Sequence, residues 1–493
     1  MIDLTLAQIA EIVGGELADI SAADAAATRV TGSVEFDSRA VTSGGLFLAL
    51  PGARSDGHDF AAGAVAAGAA GVLAARPVGV PAIVVEPRTE AGTDTAASVL
   101  EHDTDGSGAA VLAALARLAA AVAGELVAGG LTIVGITGSS GKTSTKDLVA
   151  AVLAPLGEVV APPGSFNNEL GTPWTVLRAG QDTDFLILEM SARHPGNIAA
   201  LASIAPPSIA VVLNVGTAHL GEFGSREAIA RTKAELPQAV SSSGVVILNA
   251  DDDAVAAMAD QTAARVVRVS RSPGADVWAG PVTLDEVARP RFTMHAAGTE
   301  TEISLAVHGD HQVSNALCAA AVGIECGATG DQVAAALAGA GPVSQHRMHV
   351  TTRDDGVTVI DDAYNANPDS MLAGLKSLAW MARQAGESRR SWAVLGEMAE
   401  LGDDAITEHD RIGRLAVRLD VSRLIVVGTG RSMSAMHHGA VMEGSWGGEA
   451  TMVADADAAL DLLRAELRQG DVVLVKASNA AGLGKLAEAL VAS

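Results

Sequence analysis

Apolar runs alternate with polar, glycine-rich breaks along nearly the whole chain, and their spacing switches between strand and helix. Near the start, Leu4, Leu6, Ile9 and Ile12 predict an opening helix. LFLAL (46–50) and VPAIVVE (80–86) read as buried strands, with the Ala-rich AAGAVAAGAAG between them as a helix. Asp37, Ser38 and Arg39 precede the first of these strands and Asp56, Gly57 and His58 follow it, at positions that suit ligand loops and plain turns equally. EAGTDTAASVLEHDTDGSG (90–108) is polar, acidic and small, and reads as a linker or insertion.

A helix over 109–127 then leads into LTIVGITGSSGKTSTKDL (131–148), an apolar run that breaks into glycines and hydroxyls and resumes as a helix. DFLILEMSA (184–192) and IAVVLNVGTAHLGEFGS (209–225) are continuous apolar runs ending in polar residues, as in a parallel sheet buried on both faces. SREAIARTKAELPQAV (225–240) predicts a helix capped by Ser225, SGVVILNADDD (243–253) a strand, 265–307 a β-rich excursion, and HGDHQVSNALCAAAVGIECG (308–327) a helix. VTVIDDAYNANPDSM (357–371), SWAVLGEMAEL (391–401), RLIVVGTGRS (423–432) and DVVLVKASNAAGLGKL (471–486) each pair an apolar strand with a polar or glycine-rich exit, and 370–381 is helical. The expectation is an α/β protein of three domains, 1–105, 106–341 and 342–493: a central parallel-sheet domain carrying a phosphate loop, flanked by an α/β domain and a Rossmann-like domain.

Composition narrows the chemistry. With 33 basic against 58 acidic residues the net charge is −25, which argues against nucleic acid or an anionic membrane as partner. Hydrophobic residues make up 49% and aromatics only 3%, so aliphatic side chains must fill the core. Lysine occurs only at 142, 146, 233, 376, 476 and 485, so each invites a specific reason. Cys318 and Cys326 lie among apolar residues without a zinc pattern and are expected to be reduced. No secretory signal is visible at the start, and the apolar stretch 109–123, interrupted by Arg117, is too short to cross a bilayer; a cytoplasmic protein without membrane insertion is expected.

The loop TGSSGKTS carries the clearest chemistry. A glycine-rich turn directs backbone N–H groups into one concavity at the positive end of a helix, which is where phosphate binds. Gly138, Ser139, Ser140 and Gly141 would form the cradle, with Ser144 in the first helical turn; Lys142 would reach the β/γ-phosphates and Thr143 would hold Mg²⁺. The standard spacing requires glycine at 136, where the chain has Ile136, so this is a shorter form of the loop. Glu189 and His219, at or beyond the ends of buried strands, suit a metal–phosphate site or plain structural roles. Gly428 and Gly430 complete no GxGxxG, so a dinucleotide is not expected.

TGSSGKTS, FNNELGTP, LEMSARHPGNI, NVGTAHLGEFGS, HQVSNALCAA, DDAYNANPDSM, LGEMAELG and VLVKASNAAG together resemble the Mur ligases, and FDSRAVTSGGLFLALPG with DGHDF resembles their uridine-binding domain. Within the family, YNANP and the lack of a DNPR signature point to the branch that adds D-Ala-D-Ala to UDP-MurNAc-tripeptide. The resemblance implies an ATP-dependent, ADP-forming ligation through an acyl phosphate, with two Mg²⁺ ions, in a monomeric enzyme of peptidoglycan synthesis. It implies catalytic roles for Lys142, Glu189, His219 and Lys233, the last as a carbamylated metal ligand beside Thr143, Glu189 and His219. It puts Asn315, Arg347, Asp361, Tyr364 and Asn365 near the nucleotide, and Ser38, Arg39, Asn167, Asn168, Glu169, His194, Lys476 and Ser478 near the substrates. The chain departs from the family pattern at Ala477 and Asn479, where Gly and Arg are usual, which leaves dipeptide-carboxylate recognition at that loop in question. Another amide ligase of the superfamily, of folylpolyglutamate type or acting on a different muramoyl peptide, and a nucleotide-binding scaffold that has lost turnover are the competing expectations.

Overall fold

The structure, a computed structural model, describes residues 3–87, 100, 102–216, 220–383, 389–445 and 447–492. The first sheet runs in the order Glu16–Ala18, Ala82–Val84, Gly71–Ala74, Leu46–Leu48, Val34–Glu35, parallel except for its antiparallel edge strand Glu16–Ala18. The opening helix, Leu6–Val13, begins two residues later than its first apolar position because Thr5 and Gln8 form a reciprocal capping box. The Ala-rich helix is shorter than its pattern: it covers Ala61–Ala66, after which the chain turns through Gly68 (φ +116°) and becomes the strand Gly71–Ala74. Most of the expected linker lies outside the described residues.

The second sheet, of ten strands, places Thr132–Thr137 between Phe185–Glu189 and Ile209–Val212, with Val159–Val160 beyond the former and Val245–Asn249, Arg265–Ser270 and Val277–Ala279 beyond the latter. All these strands are parallel; the excursion Pro290–Ala296 and Thr299–Ser304 adds an antiparallel hairpin at the edge. Since the chain leaves Thr132–Thr137 to one side and later returns to the other, its C-terminal end is a topological switch point, where ligands bind in open α/β sheets. The third sheet runs His349–Thr352, Thr358–Asp362, Val472–Lys476, Ser391–Leu395, Arg423–Val427, Ala450–Val453, parallel except for its first strand. The expected three-domain α/β plan is present, each part built on its own sheet.

The helix Ser107–Ala128 corrects one expectation. At 22 residues it is long and apolar enough to cross a membrane, so length does not exclude it. It is mostly buried instead, sharing a core with Leu6, Ile9 and Val13 of the first unit and with Ile133 and Leu186 of the central sheet. Arg117, the charge inside it, donates from Nη2 to Val13 O at 2.6 Å, so this interruption fastens the first unit down. A second seam is aromatic: Trp174 meets Phe36 edge-on and Phe166 at a tilt, and its Nε1 donates to Val34 O at 2.8 Å. Both cysteines are free, and burial pushes the Cys318 thiol up to about 12.

Candidate functional site

The phosphate loop joins strand Thr132–Thr137 to helix Lys142–Leu153. Gly141 at its end has φ +81°, a backbone conformation that favours glycine, and a Cβ there would displace the Asn315 amide, 2.7 Å away at Oδ1. The first amides of the helix have no intrahelical partner and face the concavity. The Ser139 and Ser140 amides, by contrast, both donate to Asn214 Oδ1 at 3.0 Å, while Asn214 Nδ2 donates back to Ser140 O at 3.2 Å. Asn214 thus braces the front of the loop and occupies the Ser139 and Ser140 amides. Lys142 Nζ donates to Gly138 O at 2.7 Å across the loop; burial, with the nearby Arg347 charge, holds its pKa below the ordinary lysine value despite the opposing Glu189 and Glu400 carboxylates.

Hard oxygen donors gather beside the lysine. Thr143 Oγ1 lies 2.9 Å from Glu189 Oε2 and 2.8 Å from Ser165 Oγ, and Asn167 Nδ2 donates to Glu189 Oε1 at 2.7 Å. Ser191 Oγ in turn holds Asn167 Oδ1 at 2.9 Å. Lys233 is buried on the helix Arg226–Ala239, whose N-cap is Ser225 as expected. Burial, together with the nearby Lys142 charge, pushes the Lys233 amine far below the ordinary lysine range. His219 lies outside the described residues; among those described, no group of three or more His, Cys, Asp or Glu is placed to hold a metal.

Two cavities flank the loop. One, of about 450 Å³, is lined by Lys142, Thr143, Asn167, Asn168, Glu169, Glu189, Arg193, His194, Tyr364, Asn365, Glu400, Ser478 and Asn479, among others. The other, of about 1130 Å³, runs past Asn214, Asn315, Cys318, Ala373, Trp380 and Lys476. Both are lined by Ser140, Gly141, Ser144, Arg347 and Ser370, so they meet at the helix N-terminus.

Arg347 reaches this junction from the connector to the third sheet. Its neighbours His346 and Met348 have φ +55° and +53°, a left-handed conformation that costs non-glycine residues energy and is held here by side chains. His346 Nδ1 bonds Asp361 Oδ2 at 2.7 Å, and Met348 N donates to Asp362 Oδ1 at 3.2 Å. The guanidinium sits 4.5 Å over the Tyr364 ring and donates to Ser165 Oγ at 3.1 Å. Asp361, expected at the nucleotide, lines neither cavity and braces this connector instead.

Lys476, expected at a substrate, is 1% exposed and donates to Asp362 Oδ2 at 2.5 Å and Asn365 O at 2.9 Å. Ser478 Oγ accepts from Ala399 N at 2.9 Å and ties two loops of the smaller cavity together. Ser38 and Arg39 lie in the first unit, outside both cavities, with Arg39 exposed and paired to Asp37 at 2.7 Å. His58 takes the turn role: its ring bonds Asp56 at 2.6 Å and accepts from Ala75 N at 3.0 Å.

Asn214, Ser165, Ser191, Arg193 and Glu400 were not singled out from the sequence. Lysine scarcity flagged Lys146 without a role; it is buried, paired with Asp147 at 2.7 Å, and donates to Pro162 O at 2.8 Å and Ser344 Oγ at 3.4 Å. It therefore ties the loop helix to the segment bearing Ser165 and to the connector.

Comparison with known proteins places this geometry. Residues 31–121 match the Mur ligase family catalytic domain, 136–323 the Mur ligase middle domain and 346–479 the Mur ligase glutamate ligase domain. The UDP-N-acetylmuramoyl-tripeptide–D-alanyl-D-alanine ligase of Mycobacterium tuberculosis (strain ATCC 25618 / H37Rv) is 78% identical, the alignment covering 100% of this chain and 98% of that protein. A crystal structure of MurF from Acinetobacter baumannii superposes with a TM-score of 0.82 at 28% identity, covering 100% of this chain and 99% of that one. MurF from Thermotoga maritima in complex with ADP superposes with a TM-score of 0.75 at 27% identity, covering 93% and 97%.

Proposed function

The chain belongs to the Mur ligase family, and on that premise we propose that it joins D-alanyl-D-alanine to UDP-N-acetylmuramoyl-tripeptide at the expense of ATP, forming ADP, for peptidoglycan synthesis. The observation that carries the reading is the meeting of two cavities at one phosphate loop, because ligation needs a nucleotide and two further substrates at a shared phosphoryl group. The larger cavity, past Asn315, takes the nucleoside; the smaller, past Asn167, Asn168, Glu169 and His194, takes the tripeptide terminus and the dipeptide. Ser38 and Arg39 are assigned to the uridine diphosphate, and the three domains to residues 1–105, 106–341 and 342–493.

The tripeptide carboxylate attacks the γ-phosphorus and ADP leaves. The dipeptide amine then attacks the acyl-phosphate carbon, and the tetrahedral intermediate expels phosphate. Transfer between anions depends on positioning and charge neutralisation. Lys142 and the rear amides of the loop face the transferred phosphoryl group, while Arg347, stacked on Tyr364, adds a second cation from the third domain. Closure of that domain keeps water from the acyl phosphate.

The convergent Thr143, Glu189 and Ser165 oxygens fit Mg²⁺, which prefers hard oxygen donors and would neutralise phosphate charge. His219 and a carbamylated Lys233 are assigned to a second ion. Carbamylation requires a neutral amine, and the depressed pKa of Lys233 supports that assignment. The chain is assigned as a monomer acting in the cytoplasm. The test is phosphate release from ATP with UDP-MurNAc-tripeptide, with and without D-Ala-D-Ala: release requiring both supports ligation, and indifference to the dipeptide rejects it.

A further inference from the structure

The smaller cavity must hold an acceptor that carries a free carboxylate, and its walls show which residue can bind it. The ammonium and guanidinium groups among its described lining residues are those of Lys142, Arg193 and Arg347. Lys142 is folded across the phosphate loop, and Arg347 is fixed on Tyr364 and the Ser165 hydroxyl, so both face the phosphoryl group. Lys476 is sealed against Asp362 outside this cavity, and position 479 on its wall is an uncharged asparagine. Arg193 is the cation left for the acceptor side.

Its surroundings suit that task. Arg193 follows the strand that bears Glu189, and its backbone N donates to Asn197 Oδ1 at 3.1 Å, which fixes its base. Its guanidinium stays partly solvent-accessible, at 39%, and donates from Nη2 to Glu400 Oε1 at 2.7 Å across the cavity. Glu400 belongs to the third domain, has φ +64°, and adjoins Ala399, whose amide is tied to Ser478. A carboxylate is therefore already seated on Arg193 beside the wall formed by Ala399, Ser478 and Asn479. Guanidinium binds carboxylates through paired, directional hydrogen bonds, so a ligand carboxylate can take the place of Glu400 without new desolvation of the cation.

We propose that Arg193 binds the free carboxylate of the acceptor dipeptide, exchanging Glu400 for it, and thereby sets specificity for an acceptor with an unblocked C-terminus. The proposal rests on the ligase reading above and names the subsite that reading leaves unassigned.

The full-length enzyme is assayed by steady-state phosphate release with ATP, UDP-MurNAc-tripeptide and either D-Ala-D-Ala or its C-terminal amide. Arg193→Ala should raise KM for D-Ala-D-Ala on the order of 10- to 100-fold, the value of a charge-assisted hydrogen-bond pair. KM for ATP and for UDP-MurNAc-tripeptide should stay within about twofold, and the preference of the wild type for the dipeptide over its amide should collapse. Arg193→Lys should retain part of the preference, and adding Asn479→Arg to Arg193→Ala should restore part of it from the opposite wall. Equal losses with dipeptide and amide, or a fall in kcat at unchanged dipeptide KM, would show that Arg193 only latches the domains and would overturn the assignment. Dipeptide-independent phosphate release by the wild type would instead overturn the ligase reading, and the proposal with it.

Discussion

Replacing Lys476 by methionine tests the wiring between the third sheet and the phosphate loop. The lysine ammonium contacts Asp362 Oδ2 at 2.5 Å and Asn365 O at 2.9 Å, and Asp362 Oδ1 accepts from Met348 N at 3.2 Å, next to Arg347. Methionine keeps most of the volume and removes the charge. A buried carboxylate left without its counter-ion costs about 3–5 kcal/mol. The central figure of about 4 kcal/mol corresponds to roughly 8–16 °C in Tm for a domain of this size. Lys476→Met combined with Asp362→Asn should recover about half of that loss, because the amide still accepts from Met348 N and no buried charge remains. Calorimetric unfolding of the single and double variants measures the coupling. A second readout is functional: with the connector loosened, Arg347 is no longer aimed, and KM for ATP should rise about tenfold below the unfolding temperature. Single variants within about 1 kcal/mol of wild type, or strictly additive losses in the double variant, would refute the argument.

Asn214→Asp keeps an acceptor on the Ser139 and Ser140 amides but puts an anion beside the phosphates; KM for ATP should rise tenfold or more by roughly 1.4 kcal/mol of repulsion, and an unchanged KM would remove Asn214 from the loop's electrostatics. Lys233→Ala should lose most activity without rescue by bicarbonate, and ¹³C-bicarbonate should label a carbamate in the wild type only; wild-type turnover in the variant would make Lys233 a packing residue. Burial raises the Asp56 pKa, but the His58 amide and ring and Arg76 outweigh it and hold the carboxyl at about 2. Because this folded value is depressed, its contribution to stability is present above the unfolded value near 4 and is lost as pH falls through about 2. The Tm difference between wild type and Asp56→Asn should therefore shrink across that window; a constant difference would count against the pairing.

Several site residues could be found from the chain alone because their chemistry is local. Gly138 to Ser144 occupy consecutive positions, so the turn, the helix start and the lysine arrive together, and Glu189 is marked as an acid ending an apolar strand. The lysine count asked for a reason at each position without predicting burial, and Lys146, Lys233 and Lys476 prove to lie in the interior. It could not say what each lysine touches. Lys476 and Asp361, expected as ligand contacts, are paired in this structure with Asp362 and His346, because a charge inside a protein is paired with whatever the fold brings to it.

Strand and helix alternation, the phosphate loop and the three-part plan are all legible in the chain, since periodicity and turn chemistry act over a few residues. Only the packed fold sets Asn214 on the Ser139 and Ser140 amides, aims Arg347 at Thr143 through the left-handed backbone at His346 and Met348, and brings Arg193 to Glu400 across 207 positions of chain. Those contacts depend on strand order and domain closure, and no local pattern encodes the distance between residues that only packing brings within hydrogen-bond reach.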